Sequence, residues 1–475
     1  MNNQKTSGLR TAVLSFQHMF AMLGATMLVP VLAGMSLSVA LLSAGLGTII
    51  FYFITKRKVP VFLGSSFAFL PALITVVGGG AYEIGSPEWN QRMAAVMISL
   101  VLAGLVYVIF SIIIKSVGPS KIKKLFPPIV VGPVIIIIGM ILAPKMFWNN
   151  IIGNYDTTLG WGYTPAWKQW TAAGITALTI VLVNAFAKPK SFFKVIPILL
   201  GFIVGYIYSA IIGLVSINFS GDIVIFQQAT KVWGFWGREG LGNIDPNMLI
   251  SAILMIVPLA VVTFMEHLGD ISANSTVCGQ DFMVDPGLHR TVLGDGVATA
   301  VGGLLGGPAN TTYGENTAVL AITKNYNPKN IFIAACMAVV LGILVPFGEI
   351  LNSIPSPVVG GASIVLFGMI SASGLRALVD GKVDFSDSKN IIVVSVTLAV
   401  GLGLGAMSLA GDITGQNVLK IMIGNVEISP LAIATVVAIL LNLIIPNSKP
   451  DKSTPDDATI TLTAAPGADI KEEEE

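Results

Sequence analysis

Glu266 and Asp270 stand four residues apart in EHLGD, so on a helix their carboxyls share one face, while His267 points about 100° away from Glu266. Two carboxyls on one face of a low-dielectric cavity repel each other, and a proton taken up by either relieves the repulsion. A proton-coupled carrier needs such a pair; the plainer reading puts Asp270 in water or in a helix cap. Glu315 lies in GGPANTTYGEN (306–316), beside Asn316 and after Tyr313 and Gly314. A carboxyl there has no evident structural duty and reads as functional. Asp295 is expected near a helix start, where acids are tolerated, and reads as structural. His18, after Gln17, either orients neighbouring polar groups or is a satisfied interior histidine. His289, in DPGLHR, reads as a local tether.

Other chemistry finds little footing. Three histidines give no HExxH pattern, and no GxSxG elbow or P-loop is present. Cys278 and Cys336 are too few and too isolated for a disulfide framework or a thiolate metal site, and read as buried small residues. Neither metal nor cofactor is expected, and an enzyme would have only the intramembrane acids to work with.

The elements that must position these acids follow from composition. Of 475 residues, 54% are hydrophobic and 11% charged, against about 25% charged in an ordinary soluble domain. A single soluble core is excluded, and lipid is the expected solvent. Spans are expected near 14–33, 36–54, 62–79, 94–114, 126–144, 170–187 and 195–216. A second set is expected near 248–268, 291–306, 311–323, 330–350, 358–375, 390–409 and 429–445.

Fourteen spans place both termini on one side, and of the 27 basic residues 21 then fall in the connections and termini of that side and six in the others. The positive-inside rule makes that side the cytoplasm. All seven tryptophans fall in or beside the opposite connections, where amphipathic rings favour the headgroup level. Net charge +1 conceals an acidic end, since Asp451, Asp456, Asp457, Asp469 and Glu472 to Glu475 crowd the last thirty residues. No basic field suited to nucleic acid is present.

PIVVGPVIIIIGMI (128–141) and PVVGGASIVLFGMI (357–370) are identical at seven of fourteen positions. They open the fifth and twelfth spans, and an odd separation reverses direction through the bilayer, the inverted-repeat plan of secondary transporters. The third span of each half reads poorly as a helix: GSSFAFLP (64–71) and GGPANTTYGEN. Irregular backbone at membrane depth survives only beside protein or a water-filled cavity, so paired breaks point to a central site for a small polar ligand.

These residues carry a resemblance. QHMFAMLGATMLVP (17–30), GSSFAF (64–69), EHLGD (266–270), DPGLHR (285–290) and NTTYGEN (310–316) together resemble the nucleobase/ascorbate transporters, also called nucleobase–cation symporter family 2, from about Leu14 to Pro446. The family's tenth-span signature runs here from Glu315 and Asn316 to Thr323, with Ala318 where glycine is usual. Glu315 at its first position resembles the uracil branch, whereas purine and urate carriers often have glutamine.

The resemblance implies an all-α polytopic membrane protein of 14 transmembrane segments in two inverted seven-span repeats, with short antiparallel strands in spans 3 and 10. A core domain (14–114 and 248–350) and a gate domain (115–216 and 351–445) are expected, with a cytoplasmic N-terminus (1–13), an extracellular loop (217–247) and an acidic cytoplasmic tail (446–475). It also implies that Glu266 and Glu315 accept the N–H groups of uracil, that the amides of Phe67 and Gly314 donate to its carbonyls, and that Ala25, Tyr313 and Phe67 line the pocket. Coupling falls to Asp270, Glu266 and Glu315, and support to Gln17, His18, Asn316, Ser363 and Phe367. A homodimer through the gate, in a bacterial-type cytoplasmic membrane, is expected. Rivals are a xanthine or urate carrier, an anion transporter of similar architecture and a membrane-embedded enzyme.

Overall fold

Prolines and capping side chains set where many of the helices begin. A proline fits the first helical turn, where its missing N–H costs nothing, and Pro87, Pro128, Pro197, Pro246, Pro328 and Pro430 each stand there. Ser86, Asp245 and Asn327 precede three of them and accept a first-turn N–H. The structure is a computed structural model that describes residues 8–118, 121, 126–152, 166–188, 191–216, 220–416, 421–423 and 426–446. Residues 1–7, Trp161, Lys123, Lys124, Lys190, Lys420 and the expected acidic tail beyond Pro446 lie outside the described residues.

Helices α1 (Gly8–Ala33) and α2 (Leu37–Ile54) lead to strand β1 (Leu63–Ser65) and the short α3 (Leu70–Val77). Then come α4 (Pro87–Val117), α5 (Pro128–Met146), α6 (Ala166–Phe186) and α7 (Pro197–Ile211). Past several short turns, α8 (Pro246–Ile256), α9 (Leu259–Cys278) and α10 (Leu288–Leu304) lead to β2 (Asn310–Thr312) and α11 (Gly314–Thr323). The chain ends with α12 (Pro328–Ile343), α13 (Val345–Asn352), α14 (Ser356–Asp380), α15 (Ser388–Thr414), the two-residue strands β3 (Met422–Ile423) and β4 (Val426–Glu427), and α16 (Pro430–Ile444).

Among the described residues eight helical segments are long and apolar enough to cross a membrane, α8 and α9 counting as one. Phe186 and Ile211 are 81% and 78% exposed, a state that lipid accommodates and water does not. Two of the expected spans are interrupted. The eighth segment, expected to end near residue 268, breaks at Pro258 and then continues as α9 to Cys278. One polar group of its last turns is satisfied by protein: the buried Asn274 amide donates to Pro60 O at 3.4 Å and to Thr317 Oγ1 at 3.2 Å. The eleventh breaks at Leu344, where Val345 N bonds Ile223 O at 3.0 Å. Cys278 is buried as expected, whereas Cys336 is only partly so.

The helices pack in two groups. In one, α2 lies on α12 and α4 on α10, with α1 against α12 and α8 against α4. In the other, α14 lies on α5 and α6, α15 on α5 and α16, and α6 on α7. The helices that carry the two copies of the repeated motif, α5 and α14, cross closely. A Cβ at Gly132 would meet Leu378 and, at 3.0 Å, Gly374 O, while one at Gly139 would collide with Phe367 O and Ser371. Numbering rises on one helix as it falls on the other, so the two run antiparallel. Between the groups, Tyr206 of α7 and Ser353, just past α13, share a 2.9 Å hydroxyl hydrogen bond.

The expected loop at 217–247 is pinned where it is described. The indoles of Trp233 and Trp236 donate to Leu305 O at 2.8 Å and Leu304 O at 3.1 Å, satisfying carbonyls that the end of α10 leaves open.

Candidate functional site

Both interrupted segments form a strand followed by a short helix, and the two strands pair. Leu63, Gly64 and Ser65 of β1 oppose Thr312, Thr311 and Asn310 of β2 in an antiparallel ladder, extended by Ser66 N to Ala309 O at 2.8 Å and Tyr313 N to Phe62 O at 3.1 Å. Side chains replace the neighbours a wider sheet would supply. Thr48 Oγ1 accepts from Leu63 N at 2.9 Å, Thr299 donates to Asn310 O at 2.7 Å, and the Asn310 amide donates to Ala298 O at 3.0 Å. The Tyr313 ring lies over Gly64, where a Cβ would collide with it, and its hydroxyl donates to Ser65 O at 2.9 Å. The glycine of GSSFAF is therefore a matter of space.

The ladder leaves donors free. Phe67 follows β1 and Gly314 opens α11, and neither backbone N–H has a protein acceptor among the described residues. The acids stand beside them. Thr312 donates to Asp270 Oδ2 at 2.7 Å, and a Cβ on Gly314 would lie 3.8 Å from Asp270 Oδ1. Glu266, one turn earlier on α9, is half-buried, and its Oε2 is buried with no hydrogen-bond partner. Glu315 is the half-buried second residue of α11.

The remaining candidates divide. Ala25 and Tyr313 are buried beside the ladder, with Thr26 donating to the Tyr313 hydroxyl at 3.4 Å. Phe67 meets Phe367 of α14 edge to face, centroids 5.8 Å apart, so a ring from each packing group touches here. Asn316 lies 3.2 Å from His18 Nδ1 and donates to His18 O at 3.1 Å, tying α11 to α1. Half-buried Gln17 keeps Oε1 without a partner. Ser363 turns its hydroxyl back to Val359 O at 2.7 Å, so it serves its own helix. At His289 the contact is long-range and made by the backbone: its carbonyl accepts from Ser111 of α4 at 2.6 Å.

The expected reason for Asp295 fails. It lies in the third turn of α10, fully buried, with Oδ2 3.3 Å from His267 Nδ1, so a helix N-terminus does not stabilise it. Sequence reasoning missed this pair and the Thr312 donor. The only available signals were a histidine turned away from the acid face and a hydroxyl beside a break.

Exposed small residues adjoin the acids. On α9, Gly269, Ala273 and Thr276 are exposed at helical spacing, and on α11 so are Gly314, Ala318 and Ala321. These small-residue stripes run from the acids toward the ends at Cys278 and Thr323, the side where Lys324, Arg290 and Lys58 gather, Lys58 held 2.7 Å from Asp285. The acids border neither the cavity of about 450 Å³ among Ala229–Glu239 nor the apolar one of about 170 Å³ between α1, α7 and α13.

Paired broken helices, unpaired amides and acids inside a polytopic apolar bundle define a membrane transporter. The fold agrees: the transmembrane domain of a cyanobacterium bicarbonate transporter, BicA, superposes with a TM-score of 0.56 at 14% identity, covering 92% of this chain and 97% of that one. Murine Slc26a9, an anion transporter in the inward-facing state, gives 0.60 at 11% identity over 90% of this chain and 72% of its own. The Xan_ur_permease model, described as Permease family, matches residues 9–409. Uracil permease of Bacillus caldolyticus is 40% identical over 438 residues, 91% of each chain. Uracil permease of Escherichia coli (strain K12) is 34% identical over 436 residues, 92% of this chain and 91% of its own. The chain belongs to this family, the nucleobase/ascorbate transporters, and is a transporter and not an enzyme.

Proposed function

We propose that the chain is a proton-coupled symporter that imports uracil across the cytoplasmic membrane by alternating access. The observation that carries this reading is the convergence of two free amides, Phe67 and Gly314, with Glu266, Asp270 and Glu315 at one strand pair. Uracil is a flat ring with two N–H donors and two C=O acceptors, and carboxylates and amides complement it directly. The partnerless Oε2 of Glu266 is completed by a donor from outside, a substrate N–H or a proton. The uracil permeases among its relatives support the substrate.

In this reading the 14 spans form two inverted halves. Packing supports it, because α2 on α12 recurs as α10 on α4, α6 on α7 as α15 on α16, and α14 on α6 as α15 on α5. The first packing group is the core and the second the gate, and the gate forms the homodimer. Both termini face the cytoplasm, and the small-residue stripes mark the inner path. Proton and uracil each favour states the other favours, which makes the coupling reciprocal.

Uptake of labelled uracil into proteoliposomes, with and without an imposed pH gradient, tests this. Uptake should follow the gradient and be lost in Glu266→Gln and Glu315→Gln. Indifference to the gradient ends symport, and full uptake by both variants ends the site assignment. Competition with xanthine and urate distinguishes another base. The likeness to anion transporters extends to fold, whereas the acids here disfavour an anion.

A further inference from the structure

The back of α9 carries polar groups that transport chemistry leaves unused. His267 and Asp295 are both fully buried, with His267 Nδ1 3.3 Å from Asp295 Oδ2, an ion-pair contact without hydrogen-bond geometry, so that neither ring nitrogen and neither carboxylate oxygen has a hydrogen-bond partner among the described residues. One turn before His267, Thr263 accepts a hydrogen bond from the Tyr107 hydroxyl of α4. Burying a histidine and a carboxylate away from water is costly unless each serves the other.

The three helices involved differ in freedom. α10 is fixed: a Cβ at Gly294 would meet the Phe51 ring of α2 at 2.7 Å, and one at Gly296 would run into Tyr107 of α4. α9 joins α8 at Pro258, where the backbone stays helical but the proline has no N–H to carry the hydrogen-bond ladder across the junction. Its front face bears Glu266 and Asp270, with Gly269 beside them and nothing within 4 Å of where a Gly269 Cβ would stand. Toward its C-terminal end α9 is held by Thr312 on Asp270 and by Asn274 on Pro60 and Thr317, and nearer Glu266 it is held from behind, at His267 and Thr263.

We infer that the buried His267–Asp295 contact, with Tyr107–Thr263 one turn away, fixes the rotational setting of α9 against α10 and so aims Glu266 at the substrate. His267 and Asp295 are positioning residues: they act through Glu266 and touch no ligand. The inference rests on the reading of Glu266 as a substrate-binding acid. A misplacement of about 1 Å can cost as much as a hundredfold, so loss of the contact should register in affinity.

The test is equilibrium binding of labelled uracil to purified full-length protein, in a double-mutant cycle with Glu266→Gln. Asp295→Leu should weaken binding about tenfold in the native background and by less than about twofold in the Glu266→Gln background, because the acid it aims is already gone. Asp295→Asn, which keeps a hydrogen-bonding group opposite His267, should stay within about threefold of native. Size-exclusion profiles establish that each variant is folded, and if Asp295→Leu is not, His267→Leu replaces it in the same cycle. Equal losses in both backgrounds, or none in the native one, overturn the inference while leaving the site assignment standing. Native binding with no loss in Glu266→Gln overturns the site assignment, and this inference with it. A native protein that does not bind uracil overturns the proposed function as well.

Discussion

The two strand–helix units share a backbone plan and differ in what they bring to it. Leu63–Val77 is buried through most of its length, carries no ionisable residue, and ends its irregular stretch in Phe67 against Phe367. Asn310–Thr323 contributes Glu315, holds Asp270 through Thr312, and opens outward through Gly314, Ala318 and Ala321. In the proposed reading one unit is wall and the other is chemistry and access. Pairing the strands lets a buried, apolar segment hold an acidic, partly exposed one in place, so the polar half need not be stabilised by its own packing.

Substitutions can break or sharpen that contrast. Hydrogen bonds to charged groups contribute about 1.5–3 kcal/mol, so Glu315→Gln should cut uracil uptake by about a hundredfold, whereas Phe67→Leu should cut it only about threefold. Similar losses would erase the distinction. Gly64→Ala drives a methyl into the Tyr313 ring. It should destabilise the protein by about 1–3 kcal/mol and lower uptake about tenfold, read as an earlier thermal transition in detergent. An unchanged transition would mean that the ladder tolerates the intrusion. Thr312→Val leaves Asp270 without its donor at about 1 kcal/mol, and initial uptake rates should fall about fivefold. Gly314→Ala, whose new Cβ would meet nothing nearer than Asp270 Oδ1 at 3.8 Å, should stay within about twofold. A large loss there would show that the opening on α11 is tighter than its exposure indicates.

Much of this was legible because it violates expectation. Gly64 to Pro71 and Gly306 to Asn316 interrupt apolar runs, and Glu266, Asp270 and Glu315 are acids where acids are expensive. What stayed hidden depends on distant partners. A hydropathy window closes the eighth segment before Asp270 because it cannot know that Asn274 will bond Pro60 and Thr317. It places Asp295 at a helix end because His267, 28 positions earlier, is invisible to local reasoning. The Trp233 and Trp236 caps on α10 were likewise hidden, since aromatic residues in a loop signal a headgroup belt sooner than a carbonyl partner.

The close approach of α5 and α14 has a mechanical consequence. With backbone against backbone at Gly132, Gly139 and Gly374, neither helix has clearance to slide or roll on the other. Spin labels on this pair should therefore keep a constant separation through a transport cycle, while labels bridging α1 and α7 should report a changing one. The crossing would then be the fixed frame of reference in which every other displacement of the molecule is measured.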